Sequence, residues 1–170
     1  MKLDRRQFLQ LSTVAMGGFT LAPALMAAAD AKSLYRQSII IDGLGFPGSM
    51  DTAPGGTLSA EEILDVAASG LSATHVTVGE VGSMDPLLAF EKIIRDITRW
   101  DGEIAANSKV LQSVRTAEDV HNAKADGKTG LIYGLQDGVS FEDDPGRLAA
   151  LHHAGIRVIQ PTYNRRNLLG

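Results

Sequence analysis

Three short polar stretches hold the residue types that could do chemistry, and each follows an apolar run. Gln136-Asp137-Gly138 follows Leu131 to Leu135, Tyr163-Asn164-Arg165-Arg166 comes soon after Ile156 to Ile159, and Asp42-Gly43 ends Ile39-Ile40-Ile41. Asp42 and Asp137 are the candidate catalytic carboxylates. Each has a plainer alternative: Asp42 as an acceptor of backbone N–H groups at a strand end, Asp137 as a turn residue before Gly138. Gln136 offers a neutral amide oxygen, a weak ligand for a metal ion. An arginine fork fits a free carboxylate in two-point geometry, so Tyr163, Asn164 and Arg165 are the candidate substrate-binding group, suited to a small acidic ligand such as a peptide carboxylate. Against this stands the reading of Arg165 and Arg166 as solvated loop charges. Glu80 follows another apolar run and could face the same site. His75 lies inside that run and reads as a packed, hydrogen-bonded side chain, whereas His121, His152 and His153 fall on helical patterns and read as structural or solvated.

The elements that must position these residues are legible from periodicity and capping. Strands are predicted over 38–43, 73–78, 109–114, 130–135 and 156–160. The three isoleucines of the first suggest burial on both faces. Ala31 to Gln37 forms a short helical lead-in. Ser59-Ala60-Glu61-Glu62 is a capping box. Asp85-Pro86 opens a long helix whose apolar stripe runs through Leu87, Phe90, Ile94, Ile97 and Ile104, with Ile93 and Trp100 beside it. Thr116 caps a helix ending at Gly127. Asp144 as N-cap and Pro145 as first helical residue start a fourth helix, which Gly155 ends. Strands alternating with helices imply right-handed crossovers and one parallel sheet, whose carboxyl-end loops carry the chemistry. The candidate polar groups all sit at such ends. No G-x-G-x-x-G follows the first strand, which weakens a nucleotide-binding open sheet. The expected class is therefore α/β, with two closures open to it: an open doubly wound sheet, or an incomplete (β/α)8 TIM barrel with about five strands present, since a full barrel takes about 250 residues.

The chain has 170 residues, 44% hydrophobic and 21% charged, with a net charge of −4. This is globular material, and neither the charge nor any basic stripe suits a nucleic-acid partner. With no cysteine, disulfides, thiolate catalysis and Cys-based zinc sites are excluded. Residues 1–29 read as an export signal: Asp4-Arg5-Arg6-Gln7-Phe8-Leu9 resembles the twin-arginine motif, an apolar region runs from Leu11 to Met26, and Ala27-Ala28-Ala29 supplies small residues for cleavage. The expectation is a periplasmic or otherwise exported protein with no stable membrane span after cleavage. Residues 30–170 would then be the amino-terminal part of a truncated barrel domain.

From about Ser38 onward the chain resembles the amino-terminal half of the membrane dipeptidase (renal dipeptidase) family. The resemblance rests on Ile41-Asp42-Gly43, on Ala123 to Lys128, on Gly134-Leu135-Gln136-Asp137-Gly138, and on Gly155-Ile156-Arg157 leading to Thr162-Tyr163-Asn164. It implies a (β/α)8 barrel, a zinc-dependent dipeptidase activity in which metal activates water, and a dipeptide or other small-molecule substrate. A homodimer is an option. The departures bear on the metal. Where the family's first strand ends Asp-Gly-His-x-Asp, this chain has Leu44 and Phe46 at the ligand positions. Gln136 stands in place of a Glu that bridges two metals, and Tyr163 in place of a His near the substrate. Two further family histidines would lie beyond Gly170. A neutral amide cannot supply the anionic charge that two adjacent dications need, so the expectation is one zinc ion or none. A non-catalytic or single-metal relative that binds a small carboxylate is the alternative.

Overall fold

The computed structural model describes residues 31–48 and 57–170. The expected export signal lies outside them, as does the loop at 49–56. Two units divide the chain after Ser38. The described part of the first is helix α1 (Ala31–Gln37), as the lead-in predicts.

The second unit alternates strands and helices: β1 (Ile41–Asp42), α2 (Ala60–Ser69), β2 (Ala73–Thr77), α3 (Pro86–Ala106), β3 (Leu111–Ser113), α4 (Ala117–Ala125), β4 (Thr129–Leu135), a 3-10 turn (Val139–Phe141), α5 (Gly146–Ala154) and β5 (Ile156–Ile159). Local chemistry sets the helix starts. Ser59 and Glu62 exchange side-chain and backbone hydrogen bonds ahead of α2. Asp85 accepts from Leu88 N ahead of α3, and Thr116 and Asp119 form a second capping box at α4. Two backbone N–H groups and the Thr116 hydroxyl donate to the Asp119 carboxylate; led by the bond from Arg115 N, they hold its pKa below the usual value. Helix α5 starts one residue later than expected: Pro145 occupies the cap position, and Asp144 accepts from Gly146 N at 2.9 Å.

All five strands are parallel in one sheet. The third does not lie between its sequence neighbours. β2 pairs directly with β4, from Ala73↔Gly130 to Thr77↔Gly134. The opposite edge of β4 is shared end to end, with β3 against 129–131 and β5 against 133–135. β1 is shorter than predicted and, among the described residues, pairs with β2 alone. As a two-residue edge strand it does not bury its isoleucines: Ile39 and Ile41 are 40% and 50% exposed.

Period-two alternation sorts the sheet's side chains onto two faces. Val76, Leu131, Tyr133 and Leu135 pack with Val66 of α2, Ile93, Ile97 and Trp100 of α3, and Leu151 of α5 into the main core. Trp100 is fully buried at its centre. The buried line of α3 runs through Ala89, Ile93, Ile97, Trp100 and Glu103, while Leu87 and Ile94 of the expected stripe are exposed. The long helix is therefore turned slightly from the sequence reading: Trp100 and Ile93 face the sheet and are buried, while Phe90 and Ile104 of the expected stripe pack at the margin of the core. Glu103 is drawn inward to accept from Leu58 N and Asn107 Nδ2, both at 3.4 Å. The Tyr133 hydroxyl donates to Asp101 Oδ1 at 2.9 Å; burial first, and that bond second, push its pKa far up.

The other face carries Ala73, His75, Thr77, Ile132, Gly134 and Val158. α4 lies on this face: Val120 packs with Ala73, Val114 and Ile132. It is thus not one of an outer ring with the other helices, although its His121 is exposed, as are His152 and His153 of α5. Among the described residues no helix is long and apolar enough to cross a membrane.

Candidate functional site

The triplet Gln136-Asp137-Gly138 joins three loops at the carboxyl end of the sheet. Gln136 has the parity of Gly134 and Ile132, so it leaves β4 on the face shared with Thr77, and its Nε2 donates to Thr77 Oγ1 at 2.7 Å. The amide oxygen is left as the group available to a ligand. Asp137 turns to the β2–α3 loop, where Oδ2 accepts from Gly82 N at 2.8 Å, and Oδ1 accepts from Val139 N at 3.3 Å. Gly138 N donates to Pro161 O at 3.0 Å. A Cβ at Gly138 would displace the Leu169 side chain and crowd Phe141 Cζ at 3.1 Å and Pro161 O at 3.2 Å, so glycine suits this close approach. Gln136 thus reaches the end of β2, Asp137 ties the loop after β2 to its own turn, and Gly138 holds the segment after β5.

Between these loops lies a cavity of about 80 Å3 whose lining includes Met84, Asp137, Glu142, Tyr163, Asn164 and Arg165. The structure therefore places Asp137 and the Tyr163–Arg165 group on the wall of one cavity. Both lining carboxylates are occupied by backbone: Asp137 as above, and Glu142 Oε2 by Leu168 N at 2.9 Å. Arg165 and Arg166 have no carboxylate within ion-pair distance among the described residues; Arg165 Nη1 donates instead to the thioether sulfur of Met84 at 2.9 Å. Two carboxylates offset two guanidiniums around the cavity, so an anionic ligand would be held by direct two-point contact rather than by a net field. Nothing in the sequence marks Met84 as the partner of Arg165, eighty-one positions apart.

Asp42 stands elsewhere. Its register partner Thr74 has the parity of Val76, on the helix-covered face, and its side chain lines a separate cavity of about 260 Å3 with Phe46, Glu62, Asp65 and Thr74. Asp42 Oδ1 accepts from Leu44 N at 3.0 Å, the strand-end role. Glu80 is ion-paired with Lys92 of α3. His75 is 8% exposed; its Nδ1 donates to Gly43 O at 2.8 Å, and its backbone carbonyl accepts from Gly45 N, so it anchors the loop after β1. A carbonyl can only accept, which places a proton on Nδ1; Nε2 is buried and has no partner among the described residues.

The residues at the positions where the family carries metal ligands do not fit a two-metal centre. Leu44 is 57% exposed, and Phe46 turns to the helix side, its ring edge-on to Trp100 at 5.7 Å. The Gln136 amide is neutral and tied to Thr77, and Asp137 spends both oxygens on backbone N–H groups. Among the described residues no group of three His, Cys, Asp or Glu could hold a metal ion.

Comparison with known proteins places this geometry. A crystal structure of an amidohydrolase from Pseudomonas aeruginosa matches with 30% identity and a TM-score of 0.65, over 81% of this chain and 38% of that one. The probable dipeptidase PvdM from Pseudomonas aeruginosa matches over the same shares with 17% identity and a TM-score of 0.61. A dipeptidase AC, described as a metallopeptidase, matches 75% of this chain and 43% of its own with 15% identity and a TM-score of 0.58. The chain thus spans less than half the length of these structures, and its parallel sheet and helices match part of their barrel-like fold. No curated protein matches it. The family model for membrane dipeptidases, peptidase family M19, matches residues 28–170, and the chain belongs to that family.

Proposed function

We propose that the full-length protein is an exported hydrolase of small amides that carry a free carboxylate, dipeptides first among them. The observation that carries this reading is Arg165, a guanidinium without a carboxylate partner among the described residues, set beside Tyr163 and Asn164 at the carboxyl end of a parallel sheet. Family membership supports a metal-dependent reaction. Of the residues at the family's ligand positions, only Gln136 offers an oxygen toward an ion, so the reading takes one zinc ion or none. Passage by the twin-arginine route to the periplasm belongs to the same proposal and rests on residues 1–29. Its test is the N-terminus of the mature exported protein: a retained Met1 counts against cleavage.

The deciding experiment is hydrolysis of dipeptides, and of the same dipeptides with an amidated C-terminus, by the purified full-length protein. It is run with chelator and with zinc restored, alongside a measurement of bound metal. Turnover of the free acids over the amides, with Arg165→Ala raising KM by about ten- to a hundredfold, is the expected result. Equal turnover of acid and amide would remove the role of Arg165, and two equivalents of tightly bound zinc would overturn the metal reading. A second reading, a binding module without turnover, is favoured by Phe46 packed on Trp100 and by Gln136 held on Thr77. Dipeptide binding with no hydrolysis at any zinc level would select it.

A further inference from the structure

We infer that Met84 is an oxidation site that governs Arg165, an inference that rests on reading Arg165 as the holder of the substrate carboxylate. Met84 is 79% exposed, and its sulfur accepts from Arg165 Nη1 at 2.9 Å at the cavity's edge. The same triplet restrains both partners. Asp137 holds Gly82, two residues before Met84, and Gly138 holds Pro161, four residues before Arg165. The contact therefore joins two tethered loops. A thioether is a weak acceptor, so a guanidinium resting on it is readily released to an incoming carboxylate.

Peroxide changes that balance. The thioether sulfur attacks one peroxide oxygen; the O–O bond breaks, an S–O bond forms, and the second oxygen leaves as water after proton transfer. Sulfur is oxidised by two electrons to the sulfoxide and peroxide is reduced. The new oxygen is a polar acceptor on the side chain that Arg165 already contacts, and a charge-assisted N–H···O bond replaces N–H···S. The guanidinium is then held by its own protein, and a substrate carboxylate has to displace it. Sulfoxide reduction restores the starting state. Tyr163 and Asn164 line the same cavity and are chemically untouched, so the effect falls on carboxylate recognition rather than on the whole rim.

The test uses the full-length protein, N-acetylglycine as the carboxylate probe, titration calorimetry for affinity and peptide mass mapping for oxygen at Met84. Peroxide treatment is expected to add one oxygen at Met84 and weaken N-acetylglycine binding by about fivefold. Methionine sulfoxide reductase should reverse both changes, and Met84→Leu, whatever its starting affinity, should show no response. Met84 staying unmodified under peroxide, sulfoxide at Met84 with unchanged affinity, or the same loss in Met84→Leu would each overturn the inference while leaving the role of Arg165 intact. Failure of the untreated protein to bind N-acetylglycine, or equal binding by Arg165→Ala, would sink the carboxylate reading and this inference with it.

Discussion

Replacing Asp137 tests whether the rim is held by a clamp or equipped with a reacting group. Asp137→Ala removes two hydrogen bonds from backbone N–H groups, 2.8 Å to Gly82 and 3.3 Å to Val139. A bond to a charged acceptor contributes about 1.5–3 kcal/mol net. The shorter bond should stand inside that range and the longer one well below it. Asp137 is half-buried, so water recovers part of the loss. The expected destabilisation is about 2 kcal/mol, and about half of that for Asp137→Asn, whose single amide oxygen can serve one donor. The assay is urea unfolding of the full-length protein, read as a lower midpoint at unchanged slope, with hydrogen exchange at the Gly82 amide as the local readout. Both variants should also weaken carboxylate binding, because the Gly82–Met84 loop loses its tether. Asp137→Asn with full stability, unchanged Gly82 protection and abolished hydrolysis would refute the clamp and assign Asp137 to the chemistry.

Three further outcomes are expected. Gly134→Ala would put a Cβ 1.9 Å from His75 Nε2 and 2.9 Å from Val158 O; it should cost about 1–3 kcal/mol in chemical denaturation, with part of the loss recovered in Gly134→Ala/His75→Ala. Burial, and then the bond to Asp101, raise the pKa of Tyr133, so its contribution is complete below the unfolded tyrosine value of about 10 and declines as pH rises above it. Unfolding midpoints at pH 8 and 11 should therefore diverge less in Tyr133→Phe than in the unmodified protein. Asp119 runs the opposite way: its pKa is lowered, chiefly by the Arg115 backbone N–H, so its stabilisation is present above about pH 3.9 and lost as pH falls below it. That loss should be absent in Asp119→Asn, though small because the carboxylate is exposed.

The features legible in the sequence are those with local causes. The Ser59–Glu62 and Thr116–Asp119 boxes, Asp85-Pro86 and the left-handed Gly155 each act within a few residues, and each helix end is found within about one residue of its signal. Asp137 and Tyr163–Arg165, read from the sequence as following strands, line one cavity. What could not be read depends on partners distant in the chain. The rotation of α3 is decided by where Trp100 finds room, and the exposure of Ile41 by its place on a two-residue edge strand paired with β2. The separation of Asp42 from the rim follows from its register opposite Thr74. The clamp role of Asp137 is invisible without Gly82, fifty-five positions away.

The direct β2–β4 ladder also affects how the chain must fold. Ala73 meets Gly130 only after everything between them, including the 21-residue helix α3, has been looped out. Closing a loop on the order of fifty residues adds little to the equilibrium cost, since each doubling of length costs only about 0.6 kcal/mol. Its effect on rate is larger, because long-range parallel pairing must find its register before any of its hydrogen bonds are gained. α3, β3 and α4 therefore form a local excursion that can order early. β4, filled on both edges by three other strands, is the late and cooperative step whose amides should be the last to open.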